Sequence, residues 1–123
     1  MTKIRSLMKK TVLVKEDDEI VSLAKTLKRH NLTGVPVVNS KKVVTGFVSE
    51  RDIVAAVPKK NFLSLKVKNI MKKKVISVKP EDPIVTATKI FSGSKIRLLP
   101  VIKAGKVMGI ITRNDCIEHM LRG

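Results

Sequence analysis

Two short segments of the chain place a hydroxyl three residues before a carboxylate. Ser49 precedes Asp52, and 63 residues later Thr112 precedes Asp115. A carboxylate can accept two hydrogen bonds from a vicinal diol, and a hydroxyl at a helix start lies beside unpaired backbone N–H groups that attract anions. Each segment could therefore bind a small molecule that carries both a diol and an anionic group.

The same spacing is also a helix-capping pattern. A Ser or Thr caps the first turn, and the acid three residues later turns back to the backbone N–H of the cap. Taken alone, Ser49–Asp52 and Thr112–Asp115 favour this purely structural interpretation, so a binding role needs support from the rest of the chain.

The rest of the chain is a tandem duplication, and repeats of this kind define the architecture. Three blocks match in the same order: Ile4–Lys10 with Val67–Lys73, Gly34–Val38 with Leu98–Ile102, and Gly46–Asp52 with Gly109–Asp115. We therefore place repeat 1 at residues 1–58, a lysine-containing linker at 59–66 and repeat 2 at 67–123, with both repeats forming one compact module.

Each repeat is predicted to fold as β-α-β-β-α. Short β-branched runs at Thr11–Val14 and Val75–Val78 predict a first strand. Apolar residues at helical spacing over 20–27, and a helix-start signal at 80–83, predict a helix after it.

Two apolar strands joined by a polar turn come next in each repeat, followed by a helix that starts at Ser49 or Thr112. The predicted strand pairs are Val35–Val38 with Val43–Val48, and Leu99–Ile102 with Val107–Ile111. The fold class is α/β (α+β). Because a half of roughly 60 residues buries too little surface alone, the repeats are expected to pack sheet against sheet about a pseudo-twofold axis.

Composition narrows the class of protein. The chain has 123 residues, a net charge of +16 and one cysteine, Cys116. It has no apolar run near the ~20 residues of a transmembrane helix and no signal peptide, so we expect a cytoplasmic protein without disulfides. Cys116 is expected to pack as a small hydrophobe, and its spacing from His30 and His119 predicts no metal site. Abundant lysine without glutamine is consistent with a thermophilic source.

The duplicated pattern resembles a cystathionine-β-synthase (CBS) domain pair. It consists of Met-Lys-Lys, then a Pro-Val block, then Gly-apolar-apolar-[Ser/Thr]-x-x-Asp, and it covers about Lys3 to Leu121. The resemblance implies a stand-alone, non-enzymatic regulatory module. Such modules bind AMP, ADP, ATP, S-adenosylmethionine or methylthioadenosine in clefts between the repeats, as regulatory ligands rather than required cofactors.

The resemblance also implies roles for individual residues. The carboxylates of Asp52 and Asp115 would hold ribose hydroxyls, and Ser49 and Thr112 would meet phosphate or ribose. The strand residues that would flank the adenine are Val35, Pro36, Leu99 and Pro100. Arg97 is a candidate phosphate ligand, whereas its counterpart in repeat 1 is the uncharged Thr33, so the two sites are expected to differ.

The resemblance further implies partners. The family commonly dimerises through its helices into a flat disc of four repeats, so we expect a homodimer that regulates an unknown protein when the ligand changes the angle between repeats. Met8 and Met71 are expected to fill the core or to line a ligand cleft.

A second hypothesis is polyanion binding, to DNA or RNA, in a form that includes control of this binding by a nucleotide. No acid lies between Ile53 and Pro80, and this stretch contains Lys59, Lys60, Lys66, Lys68, Lys72, Lys73 and Lys74. Lysines bind phosphates as point charges, which would give sequence-independent contacts. Two alternatives remain open: a solvated lysine surface, or a positive field that attracts anionic nucleotides.

Overall fold

The computed structural model describes residues 1–122, which form two compact units. One unit comprises Val12–Val75, and the other comprises Met1–Thr11 together with the chain from Ile76 onward. We call them the repeat 1 unit and the repeat 2 unit, because each holds most of the sequence repeat of that number. The N-terminal segment Met1–Thr11 therefore packs with the second repeat rather than with its own.

The repeat 1 unit contains a three-stranded sheet and three helices. Its elements are β1 (Val14–Lys15), α1 (Ile20–Arg29), β2 (Gly34–Val38), β3 (Val44–Ser49), α2 (Glu50–Ala56), a 3₁₀ turn (Phe62–Ser64) and α3 (Val67–Ile70). The strand order is β1-β2-β3, with β1 parallel to β2 and β2 antiparallel to β3.

The repeat 2 unit contains a two-stranded sheet and two α-helices. Its elements are a 3₁₀ turn (Ile4–Ser6), α4 (Ile84–Ser92), β4 (Leu98–Lys103), β5 (Lys106–Thr112) and α5 (Arg113–Arg122). The strands β4 and β5 are antiparallel. Within residues 1–122, no helix combines the length and the apolar character needed to cross a bilayer.

The predicted mixed fold of two repeats is confirmed. The structure differs from the prediction in the first strand of each repeat. The strand predicted at Thr11–Val14 lies instead at Val14–Lys15. The segment Val75–Val78 forms no strand. Only Val78 reaches β4, where its N–H donates to the Pro100 oxygen at 3.1 Å and its own oxygen accepts the Ile102 N–H at 2.8 Å. Ile76 is half exposed, so its β-branched side chain contributes little packing there.

Each unit has its own hydrophobic core. In the repeat 1 unit, Leu23 and Leu27 lie one helical turn apart on the buried face of α1 and pack with the strands. Every residue of β2 is buried, as expected for a strand covered on both faces. In the repeat 2 unit, Ala87 and Phe91 on α4 pack in the same way against β4 and β5.

The Met-Lys-Lys segments pair with the strand that leads to each carboxylate-bearing helix. The Phe47 N–H donates to the Lys72 oxygen at 2.9 Å, and the Lys72 N–H donates to the Phe47 oxygen at 2.8 Å. In the repeat 2 unit Lys9 and Ile110 exchange the same two bonds, both of 2.9 Å. Each segment is thus fixed by its backbone beside β3 or β5.

This pairing is possible because β3 and β5 each have a glycine where the backbone of the Met-Lys-Lys segment comes closest. A Cβ atom on Gly46 would lie 2.5 Å from the Met71 sulfur and 2.9 Å from the Lys72 oxygen. A Cβ atom on Gly109 would lie 2.6 Å from the Lys9 oxygen, which belongs to the backbone and cannot move aside cheaply. The glycine of the Gly-apolar-apolar-[Ser/Thr]-x-x-Asp motif is therefore required by space.

We predict that Gly109→Ala destabilises the protein by about 1–3 kcal/mol, because the added methyl group must push the Lys9 backbone away from β5. Urea unfolding measures the loss. Gly93→Ala is the matched control, since Gly93 has a negative φ of −97° and its nearest neighbour to an added Cβ is at 3.3 Å. Equal unfolding midpoints for Gly109→Ala and the wild type would contradict the space requirement.

Candidate functional site

The carboxylate of Asp52 turns back onto the start of its own helix. Ser49 lies in extended conformation at the N-cap of α2. Its backbone N–H donates to Asp52 Oδ2 at 2.9 Å, and its hydroxyl donates to the same oxygen at 3.1 Å. Asp52 is only 8% exposed. One oxygen of this buried carboxylate therefore caps the helix.

Asp115 repeats this arrangement at the start of α5. The Thr112 N–H donates to Asp115 Oδ2 at 2.8 Å, and the Asp115 N–H donates to Thr112 Oγ1 at 3.2 Å. Asp115 is 9% exposed. The capping interpretation of both segments is therefore confirmed. The helix-start hydrogen bonds use one oxygen of each carboxylate.

The second oxygen of each carboxylate faces a lysine from a Met-Lys-Lys segment. Lys72 Nζ lies 3.3 Å from Asp52 Oδ1, and Lys9 Nζ lies 3.4 Å from Asp115 Oδ1. The two lysine side chains are 74% and 53% exposed, so each ammonium reaches a buried carboxylate from solvent. An ammonium held this loosely can leave the carboxylate without losing its hydration.

Sequence reasoning missed this role of the two lysines. The sequence pattern predicts Lys72 as part of the lysine-rich surface and indicates no role for Lys9. The signal was present in the repeat, because both lysines follow the methionine of the same block and occupy equivalent positions. Using this signal requires knowing that the block lies beside β3 in one unit and β5 in the other.

The two carboxylates differ in how many acceptor positions they have left. A carboxylate offers about four lone-pair positions. Asp52 accepts two hydrogen bonds on Oδ2 and the lysine contact on Oδ1. Asp115 accepts one bond on Oδ2 and the lysine contact on Oδ1. The Asp115 carboxylate therefore retains more capacity to accept two hydroxyls at once.

The two residues predicted to differ between the sites, Thr33 and Arg97, occupy equivalent places. The backbone oxygen of Thr33 accepts the N–H of Glu50 at 3.0 Å, and the backbone oxygen of Arg97 accepts the N–H of Arg113 at 3.4 Å. Each thus adjoins the first residue of a carboxylate-bearing helix. Arg97 is exposed, and it lies in the same unit as Asp115.

The predicted adenine-flanking residues lie on β2 and β4. The side chains of Val35 and Leu99 are fully buried and belong to the cores of their units, and Pro36 and Pro100 are buried as well. Their burial shows a packing role, and their part in adenine binding stays a prediction.

The lysine-rich surface is partly engaged with acids. Lys68 pairs with Asp17 at 2.9 Å, and Lys72 pairs with Asp52. The hydrogen bond from Lys68 lowers the pKa of Asp17, and the same bond raises the pKa of Lys68. Of the other five lysines, Lys66 is partly buried, and the exposed ones are Lys59, Lys60, Lys73 and Lys74. Binding of a polyanion to them stays a prediction.

Cys116 follows Asp115 on α5 and packs against the core of the repeat 2 unit. Burial raises the pKa of its thiol, and the nearby Asp115 charge raises it further. The thiol therefore stays protonated at neutral pH, as expected of a packing residue. Met8 and Met71 are partly buried against the two cores.

The duplicated carboxylate sites and the two α+β units match a known family. The sequence model of the CBS domain matches residues 4–59 and 67–122. The chain belongs to the CBS domain family. An uncharacterised 17.7 kDa protein from Acidianus ambivalens is 34% identical over 91% of this chain and 68% of its own length.

Solved structures of CBS proteins share the fold. A CBS-domain protein of Agrobacterium tumefaciens, ATU1752, is 28% identical with a TM-score of 0.83, over 97% of this chain and 93% of its own. CBSX2 in complex with AMP has a TM-score of 0.88 at 23% identity, over 99% and 98% of the two chains. The CBS pair of protein MJ0100, in complex with methylthioadenosine and S-adenosylmethionine, has a TM-score of 0.84 at 23% identity, over the same shares.

Proposed function

We propose that this CBS pair is a non-enzymatic regulatory module that binds an adenosyl ligand through the carboxylates of Asp52 and Asp115. The observation that carries the proposal is a buried carboxylate at a helix start, found twice, whose second oxygen contacts the ammonium of an exposed lysine. The complexes of CBSX2 with AMP and of MJ0100 with adenosyl compounds support the ligand class.

In this proposal each carboxylate accepts the two ribose hydroxyls. The charge of an ionised acceptor makes such bonds stronger than neutral ones. Ser49 and Thr112, beside the positive end of the helix dipole, serve the phosphate or the ribose. The net charge of +16 attracts an anionic ligand to the protein from a distance.

We further propose that the repeat 2 carboxylate is the stronger ribose acceptor. Asp115 accepts fewer protein hydrogen bonds than Asp52, so it has more lone pairs for the diol. The exposed Arg97 adds a positive charge beside α5, whereas Thr33 adds none beside α2. When the ligand is bound, the module then changes the activity of a protein partner.

We predict that Asp115→Ala and Asp52→Ala each weaken AMP binding at one site by about tenfold to hundredfold, with the larger loss for Asp115→Ala. Hydrogen bonds to charged groups are worth about 1.5–3 kcal/mol, which sets this range. Isothermal titration with AMP measures the affinities. Unfolding curves measure the concurrent loss of the helix cap, expected to be about 1 kcal/mol.

The matched controls are Asp18→Ala and Asp82→Ala. These two acids also accept a backbone N–H three residues earlier, from Lys15 and Lys79, both at 2.9 Å. They lie before α1 and α4, away from the Ser/Thr-x-x-Asp motif. The controls should lose similar stability and keep AMP affinity. Normal AMP binding by the double variant of Asp52 and Asp115 would show that the ribose assignment is wrong.

We also propose that the module forms a homodimer through its C-terminal helices. On α5, Ile117, Met120 and Leu121 are exposed at helical spacing and form one apolar face, 52–76% accessible. Val54 on α2 and Val57 just after it are likewise exposed. An exposed apolar face of this kind is typical of an association surface.

We predict that the wild-type protein sediments as a dimer and that Ile117→Lys with Met120→Lys shifts it to a monomer, since buried lysines on a twofold interface repel each other. Analytical ultracentrifugation measures the mass. Val21→Lys with Val85→Lys is the control, because these exposed valines lie on α1 and α4. A monomeric wild type, or a double variant of Ile117 and Met120 that stays dimeric, would contradict the proposed interface.

A further inference from the structure

Lys9 and Lys72 occupy equivalent positions in the two units. Each side chain extends from a backbone that is fixed by two hydrogen bonds to the strand residue two positions before the motif hydroxyl. Each ammonium lies 3.3–3.4 Å from the outer carboxylate oxygen. Gly46 and Gly109 leave the space that this backbone pairing requires. The same backbone arrangement thus places a cation at the equivalent carboxylate oxygen in both units.

A ribose hydroxyl that takes the lysine's acceptor position on that oxygen displaces the ammonium. The outer oxygen, Oδ1, contacts the ammonium, whereas Oδ2 is already committed to the helix start. When a hydroxyl takes Oδ1, the ammonium is released but stays tethered close by through its fixed backbone. It keeps three N–H donors that need acceptors.

What the released ammonium then meets depends on the 5′ substituent of the ligand. A phosphate supplies anionic oxygens, which a lysine binds as a point charge. A thioether supplies no comparable acceptor, so the lost contact with the carboxylate is not replaced. A sulfonium is itself a cation and is repelled by the ammonium.

We infer that Lys9 and Lys72 determine ligand specificity, selecting 5′-phosphorylated adenine nucleosides against uncharged and cationic adenosyl compounds. This inference rests on the proposed function, since it concerns the same two carboxylates. It adds the class of ligand, which the carboxylates alone leave open.

A purely structural role for the lysines makes a different prediction. If each ammonium only balances the charge of a buried carboxylate, its removal changes binding of every adenosyl compound by the same factor. The specificity role changes the ratio of affinities instead, so the ratio is the quantity to measure.

The experiment titrates AMP, methylthioadenosine and S-adenosylmethionine into ligand-free protein by calorimetry at moderate salt. The test protein carries Lys9→Met and Lys72→Met. The control carries Lys25→Met and Lys89→Met, which remove the same two charges from exposed, repeat-equivalent positions on α1 and α4. Lys9→Gln with Lys72→Gln serves as a second test protein if the methionine variant is poorly folded.

We expect the wild type and the control to prefer AMP over methylthioadenosine, and the test protein to lose about tenfold or more of that preference. Its AMP affinity should fall, while its affinity for methylthioadenosine stays the same or rises because the competing ammonium is gone. S-adenosylmethionine should gain affinity relative to AMP as well, because the charge that repels its 5′ sulfonium has been removed.

Two other results would overturn the inference and are distinguishable. Unchanged preference in the test protein, or an equal loss in the control, overturns the role of Lys9 and Lys72 and leaves the proposed function intact. Absence of binding of all three compounds to the wild type overturns the proposed function, and the lysine assignment with it.

Discussion

The architecture of both sites depends on one backbone pairing, between a Met-Lys segment and the strand that runs into a carboxylate-bearing helix. The pairing needs a glycine on the strand, because the Lys9 oxygen and the Met71 side chain approach closer than a Cβ allows. It fixes the lysine backbone and so the reach of its ammonium. Met-Lys and Gly-apolar-apolar-[Ser/Thr]-x-x-Asp, far apart in sequence, are therefore two parts of one physical unit.

The same carboxylates stabilise the fold and present the binding group. One oxygen of each completes the first turn of α2 or α5, which holds the other oxygen in a fixed direction. A binding group held by its own helix start loses little conformational freedom when a ligand arrives. The structural and functional interpretations of the Ser/Thr-x-x-Asp spacing are thus compatible, and the capping geometry is what makes the carboxylate a defined acceptor.

Local patterns predicted most of the fold. The apolar runs around Val35–Val38 and Leu99–Ile102 predicted the hairpins, and the hydroxyl–acid spacing predicted where α2 and α5 begin. What depends on contacts distant in sequence was not predictable in this way. The segment Val75–Val78 has the residues of a strand but only one bridge to β4, and the pairing of Lys9 with Asp115 joins opposite ends of the chain.

In the proposed function, a buried carboxylate at a helix start recognises a vicinal diol. Titration of ligand-free wild-type protein with AMP and with its 2′,3′-dideoxy analogue tests this directly, since the two ligands share the adenine and the phosphate. We expect the dideoxy analogue to bind at least about tenfold more weakly, because the carboxylate loses both hydroxyl donors. Equal affinities for the two ligands would contradict it.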